Sequence, residues 1–520
     1  MMRRGGSAAD GAISAAAVLA VVEPMMSGPG GDLFALVRDP RTGRLVGLAS
    51  AGVAPAALSR ASVMRHVEKK ADMPTYGALS ITVPGAVSGW VALHERFGRL
   101  PFATLLQPAI DLAHEGFPVG VQAAEDWRSL AWLRAGRGVL GDFGEAQRVF
   151  SADGATPRAG DIFRNRDLAL ALERIGRDGV EAIARGSIGA AIERATSSAG
   201  SPLTRDDLAA HRARWLDPIS TRYRGYRVFQ MPLPGQGLAV LQLLNLLEGF
   251  DLNRLGYGSA DHAHLLAEAV RVVWRDRARL YADGPASEST MRGLVEKSYA
   301  DAQRKMIDMA NAGCGDAGPP ALSVGDTSTL SVADADGLMI NLITSVSGPF
   351  GSGIVPPGTG FVLQNRAAGF SLDPNHANAL APGRTPFHTI IPGFAERPDG
   401  APWAAFAVMG GDMQPQGQVQ ILVNAIDFGM DLQEAGDAPR LRWTGGPQPN
   451  RRRATQPLLR LETGWGADVA ADLRRRGHQV AVGIADPSVR FGGYQAVARG
   501  RSGGWEAASE MRQDGAAGGF

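Results

Sequence analysis

Apolar residues dominate 8–22 at helical spacing, with few polar interruptions, and the run stops at Glu23-Pro24. That pattern predicts a helix that is largely buried. A glycine-rich turn, Ser27-Gly28-Pro29-Gly30-Gly31, follows it. Residues 33–37 and 44–48 then read as two strands joined by a turn at 40–43. From 85 to about 313 the spacing is mostly helical, as at 108–114, 167–175, 237–247 and 262–281, with one β-type run at 225–230. Pro108 suits a first helical position. After 327 the period shortens. Runs at 328–333 and 338–343 flank Asp334-Ala335-Asp336-Gly337, whose Asp-Gly pair is a hairpin signal. Further strands are expected at 360–365, 403–408, 479–482 and 494–499. Helices are expected through 419–426, stopping at Gly429, and at 467–476, ending at Gly477. No fixed-period repeat is present. Strands, then helices, then strands predict an α+β sandwich of sheets covered by helices.

The sharpest local feature is the junction before the hairpin. Gly313-Cys314-Gly315-Asp316-Ala317-Gly318-Pro319-Pro320 holds neither a helix nor a central strand, and it leads into Thr327 at a strand start. A cut between Asp326 and Thr327 would give that threonine a free α-amine. Such an amine has an unperturbed pKa of roughly 7.7–8.0 and can act as base for the adjacent hydroxyl. The competing account of the same residues is an ordinary loop followed by a hairpin.

Composition narrows the field. The chain is 45% hydrophobic and 20% charged, enough for a large core. Its net charge of +1 implies no basic face and so no nucleic-acid partner. The single cysteine, Cys314, excludes an internal disulfide framework and any multi-cysteine zinc site. Asp261, His262 and His264 open a helical pattern, where capping and solvent exposure explain them better than a metal does. The Gly28–Gly31 cluster precedes a strand and lacks the Gly-Lys-Ser/Thr ending of a phosphate loop. No cofactor and no metal are expected. Arg3-Arg4 before an apolar run resembles a signal peptide, but Asp10 and Ser14 interrupt it. No stretch approaches the ~20 apolar residues of a spanning helix, so no membrane partner is expected. The expected location is the cytoplasm, or the periplasm if the natural start lies upstream.

The spaced motifs together resemble the γ-glutamyltransferase family of N-terminal-nucleophile hydrolases over nearly the whole chain. They are Gly5-Gly6-Ser7-Ala8-Ala9-Asp10-Gly11-Ala12, Val21-Val22-Glu23-Pro24, Tyr223-Arg224-Gly225-Tyr226 with Met231-Pro232-Leu233-Pro234, Asp326-Thr327 with Ser331-Val332, Phe350-Gly351-Ser352-Gly353, and Gly410-Gly411. The end, from Ala508-Ser509 to Phe520, is also similar. The family's pattern begins upstream of Met1, which implies a missing edge strand or a longer natural chain. The resemblance implies an αββα sandwich built jointly by a large segment, 1–326, and a small catalytic segment, 327–520. These would be cut from one precursor and stay together as a heterodimer, itself able to pair. Thr327 would be the nucleophile, Ser345 a hydroxyl that orients it, and Gly410 and Gly411 the oxyanion donors.

Three positions depart from true γ-glutamyltransferases. The acidic residue for a substrate ammonium falls at Gly369, the serine pair for its carboxylate at His388-Thr389, and the histidine two places after the nucleophile at Thr329. A buried ammonium without a carboxylate is strongly disfavoured. Arg60 falls at the family's carboxylate-binding arginine, although its loop differs and a solvated surface arginine is the competing account. Arg366, His388 and Gly411-Asp412-Met413-Gln414-Pro415-Gln416-Gly417 look more like the oxamate amidohydrolase and acylase-like branch. The expected substrate is therefore a small amide carrying a carboxylate, with Arg60, Arg366, His388 and Thr389 as binding residues and water as acceptor. Gly369→Asp is expected to restore γ-glutamyl preference. The alternatives are a true γ-glutamyltransferase or glutathione hydrolase, and an unprocessed, non-catalytic family member.

Overall fold

Strand β1 (Asp32–Arg38) shows how the layers arise. Leu33, Ala35 and Val37 pack into a cluster with helices, whereas Phe34 and Leu36 pack into a different cluster between sheets. Both faces are apolar, so the strand lies inside the protein. A computed structural model of the chain describes residues 1–67, 72–131, 143–151, 154–313, 326–450, 455–483 and 491–519. In chain order the other strands are β2 (Leu45–Ser50), β3 (Phe117–Pro118), β4 (Ile162–Phe163), β5 (Arg214–Leu216), β6 (Ile219–Tyr223), β7 (Tyr226–Gln230), β8 (Asp326–Ala333), β9 (Met339–Ser347), β10 (Gly393–Glu396), β11 (Pro402–Val408), β12 (Leu441–Gly446), β13 (Thr455–Leu461), β14 (Val480–Val482), β15 (Tyr494–Arg499) and β16 (Trp505–Ser509).

One sheet runs β5-β2-β1-β9-β8 and the other β16-β15-β11-β10-β7-β6. They stack through Phe34, Leu36, Met339 and Ile343 on one side and Phe229, Phe394, Ala405, Ala407 and Val497 on the other. The alternate residues of the second sheet, Val228, Ala395, Phe406, Val408 and Ala496, face the helices Gly237–Leu247, Ala260–Leu280 and Met413–Ile426. Helices Ala8–Val22, Ala86–Phe97, Phe102–Glu115 and Arg166–Asp178 cover the first sheet. The result is the expected four-layer αββα sandwich. Each sheet mixes strands from before and after residue 326: β1 pairs with β9 along seven residues, and β10 pairs with β7.

The helix Ala8–Val22 forms where the pattern placed it. Asp10, which interrupted the apolar run, is its capping partner: Ser7 N donates to Asp10 Oδ2 at 2.9 Å, and Asp10 N donates to Ser7 Oγ at 3.3 Å. Other expectations need correction. Pro108 lies inside the helix Phe102–Glu115, whose packing on its neighbours outweighs one lost hydrogen bond. Residues 360–365 form no ladder. They run extended against glycines, with Gln364 N donating to Gly30 O at 2.9 Å and Ser352 N to Leu363 O at 2.8 Å. Gly30 is required there, because a Cβ would stand 2.2 Å from Val362 O. The glycine cluster is thus a close-packing turn. His262 and His264 are buried, not solvent-exposed, and Ser259 caps their helix. The two rings pack against Phe428, Trp465 and His478. Cys314 and the segment 314–325 lie outside the described residues. Among the described residues, no helix is long and apolar enough to cross a membrane.

Candidate active site

Thr327 opens β8 at an irregularity. Asp326 pairs with Ser347 and Ser328 with Thr344, so the register shifts at Thr327 and leaves it out of the ladder. Its parity matches Thr329 and Ser331, which face the second sheet, Ser331 through a bond to Gln495 O. Thr327 is buried, and its Oγ1 donates to Ser345 Oγ at 3.4 Å. Ser345 Oγ also accepts from Ser347 N at 2.8 Å. Ser347 has φ 82, a left-handed conformation that costs a non-glycine residue energy, and it stands at the point where β9 leaves the sheet.

The register brings a charge to this end of the seam. Ser345 on β9 pairs with Asp32 on β1, so their side chains share one face. Asp32 is fully buried, and its Oδ2 accepts from Arg366 Nε at 2.9 Å and from His388 Nε2 at 3.2 Å. Ile390 N approaches His388 Nδ1 at 3.4 Å, which makes Nδ1 the acceptor and Nε2 the protonated nitrogen. A neutral ring follows from its surroundings: burial, then the Arg366 charge, push the His388 pKa down to about 4. Burial likewise pulls Arg366 below its ordinary value, opposed by the Asp32 charge and hydrogen bond. Arg366 Nη1 donates to Thr389 Oγ1 at 2.9 Å. Its Nη2 is buried and meets no acceptor among the described residues. A cation in this setting has one donor edge to offer a ligand.

Across the seam, Gly410 (φ 112) and Gly411 (φ 58) follow β11. A Cβ on Gly410 would stand 3.2 Å from Gly492 Cα, on a backbone conformation that already disfavours side chains. The turn leads into the helix Met413–Ile426, whose first amides add a favourable field for negative charge. Gln236 ties this turn to the Arg366 cluster, since its Nε2 donates to Gly411 O at 2.9 Å and to Thr389 O at 2.7 Å.

Thr327, Ser345, Arg366, His388, Thr389, Gly410 and Gly411 therefore fall on one connected path of contacts. Arg60 does not join it. It is exposed at the start of the helix Arg60–Met64 and donates through Nε to Leu372 O at 2.8 Å. Gly369 ends the short helix Arg366–Gly369, and a Cβ there would stand 2.7 Å from Phe387 O. An aspartate at 369 would strike backbone next to His388, which corrects the expectation that Gly369→Asp restores an ammonium site. Sequence reasoning missed Asp32, which looked like the end of a glycine turn. It also missed Gln236, which ties the glycine turn to the Thr389 carbonyl. The signal was a polar residue beside apolar or glycine-rich runs that otherwise had no use for it.

A family model described as Gamma-glutamyltranspeptidase matches residues 1–520. The chain is similar to a glutathione hydrolase-like proenzyme of Bacillus subtilis (strain 168), 34% identical over 524 residues, which cover 99% of this chain and 95% of that one. It is similar to the oxamate amidohydrolase proenzyme of Klebsiella pneumoniae, 35% identical over 533 residues, 100% of this chain and 95% of that one. Among solved structures, cephalosporin acylase from Bacillus halodurans superposes with a TM-score of 0.89 at 36% identity, covering 99% of this chain and 91% of that chain.

Proposed function

The chain belongs to the γ-glutamyltranspeptidase family and is an amidohydrolase of it, and from that premise we propose that Thr327 is the nucleophile, freed by self-cleavage after Asp326. The observation that carries this is the Thr327–Ser345 hydroxyl pair, set at a bulge on the buried seam and one strand from the Asp32–Arg366 pair. After the cut, segments 1–326 and 327–520 stay together as a heterodimer, because parting them would break β1 from β9 and β7 from β10.

Thr327 Oγ attacks the amide carbonyl and its proton passes to the freed α-amine. Ser345 holds the hydroxyl in line. The Gly410 and Gly411 N–H groups receive the negative charge on the carbonyl oxygen. The C–N bond then breaks as the departing amine takes the proton from the α-ammonium, which leaves an acyl ester on Thr327. Water repeats the sequence and releases a carboxylic acid.

The substrate is a small amide whose acyl part bears a carboxylate. The unpaired Arg366 Nη2 receives that carboxylate, with Thr389 and the neutral His388 beside it. The name of the oxamate amidohydrolase relative fits such a substrate. A γ-glutamyl head group fits less well, because position 369 carries no acidic side chain and a Cβ there would stand 2.7 Å from Phe387 O.

The test is direct. Purified protein should run as two fragments, and the smaller should begin Thr-Ser-Thr-Leu. Thr327→Ala should abolish both the cut and the hydrolysis of carboxylated amides. An intact chain that is fully active, or a Thr327→Ala variant that still cleaves at this bond, would sink the proposal.

A further inference from the structure

Behind the glycine turn lies a largely buried polar assembly that the chemistry above does not use, with Gln236, Arg277 and Asp412 buried and Gln448 half-buried. Arg277 sits on the helix Ala260–Leu280 with its guanidinium 4.1 Å over the Trp274 ring. Its Nη1 donates to Asp412 Oδ1 at 2.7 Å and to Gln236 Oε1 at 2.8 Å, and its Nη2 donates to Gln448 Oε1 at 2.6 Å. Gln448 Nε2 closes the ring by donating to Asp412 Oδ2 at 3.0 Å. Asp412 is the residue next to Gly411, and it precedes the helix Met413–Ile426.

The hydrogen-bond logic of Gln236 has one solution. Arg277 can only donate, so it must meet the amide oxygen. Thr389 O and Gly411 O can only accept, so both must meet the amide nitrogen. The backbone of Gln236 is stitched in as well: its N donates to His388 O at 3.0 Å, and His388 N donates to Pro234 O at 3.0 Å. One amide group thus ties the carbonyl of the glycine turn, which also accepts from Gln414 N at 3.2 Å, to the carbonyl of the segment that carries His388 and Thr389. Arg277 and Asp412 fix that amide in turn.

We infer that Gln236, locked by the Arg277–Asp412 pair, is a positioning residue that sets the aim of the Gly410-Gly411 amides relative to the Arg366 pocket. The inference rests on the proposed Thr327 chemistry. It follows from geometry: Gln236 holds the Gly411 carbonyl, and that peptide unit is joined through Gly411 Cα to the one that carries the Gly411 N–H, so the hold limits rotation about Gly411 and with it the direction of the donor. Donors that act on the transition state lose effect when misplaced by as little as ~1 Å, by up to about 100-fold in rate.

The test uses the processed enzyme, with a gel to show the cut and a melting curve to show the fold. Gln236→Glu sets an oxygen against two carbonyl oxygens. Gln236→Met removes both donors at similar size and adds no charge, so it serves if the glutamate variant does not accumulate. Either should lower kcat by roughly 10- to 100-fold. The specific readout is a pair of inhibitors: a carboxylated alkylboronic acid, whose tetrahedral adduct on Thr327 places an oxygen at the glycine turn, and the plain dicarboxylate product. Boronate affinity should fall in step with kcat while product affinity changes less than about threefold. Equal loss of both affinities, or unchanged kcat in a folded variant, overturns the inference. A Thr327→Ala control separates the two levels. If it is inactive while the Gln236 variants keep full kcat, only the positioning role is wrong; if it is active, the nucleophile assignment itself has failed.

Discussion

Asp32→Asn removes the negative half of a pair whose two side chains are both buried, and leaves the Arg366 cation without its counter-charge. Breaking a buried pair from one side costs roughly 3–5 kcal/mol, because the remaining charge stays desolvated. Removing both charges with Asp32→Leu/Arg366→Met avoids that. What then remain are the His388 Nε2–H, which has lost its acceptor, at roughly 1–3 kcal/mol, and the Gly52 N–H, whose bond to Asp32 Oδ1 was already long at 3.4 Å. The double variant should therefore be more stable than Asp32→Asn alone, although it removes more polar atoms. Both should lose hydrolysis of carboxylated amides, since the first misplaces Arg366 and the second deletes it. Stability is best measured by urea unfolding with tryptophan fluorescence in a Thr327→Ala background, so that every variant is one uncut chain. An Asp32→Asn cost below about 1 kcal/mol, the range of an exposed pair, would refute the claim that Asp32 holds a buried Arg366 in place. A double variant that costs the sum of the singles would refute the coupling between them.

Other outcomes follow from the same contacts. Gly369→Asp should gain no γ-glutamyl anilide hydrolysis and should lower stability by roughly 1–3 kcal/mol, the range for overpacking, since its Cβ meets the Phe387 carbonyl; efficient γ-glutamyl turnover would contradict this. Ser345→Ala removes one hydrogen bond from Thr327 Oγ1 and one acceptor from Ser347 N, so self-cleavage and turnover should slow by roughly tenfold, about 1.4 kcal/mol, in a gel time course. Burial depresses His211, His262 and His388 to about 4 from an ordinary 6.5, so the unfolded chain binds more protons between those values. Their contribution is fully present above pH 6.5 and is lost as pH falls toward 4. Unfolding free energy should drop steadily across that window, and a flat profile from pH 7 to about 4.5 would show that these rings are not buried neutral.

Much of this protein is determined by local pattern. The Ala8–Val22 helix, the hairpin after Thr327, the strand before Gly410-Gly411 and the alternation that makes a strand two-faced each depend on neighbours within a few residues. A period, a cap or a turn pair records such preferences along the chain. Tertiary structure alone decided what the buried polar groups do. Asp32 shares a face with Ser345 because β1 lies beside β9 in one register, and a shift of one residue would turn Asp32 to the helix side, while Arg366 and His388 lie outside both strands and reach Asp32 only through the packing of the segments that carry them. Gln236, Arg277 and Asp412 come from a loop, a long helix and a helix start that share no sequence neighbourhood. Residues 360–365 have strand composition, yet they lie against Gly30 because packing there offers single carbonyls and not a ladder. Hydrophobic order is short-ranged and leaves a period in the sequence. Charge compensation in a desolvated interior depends on which distant groups the packed layers bring within about 3 Å, and no local pattern records that.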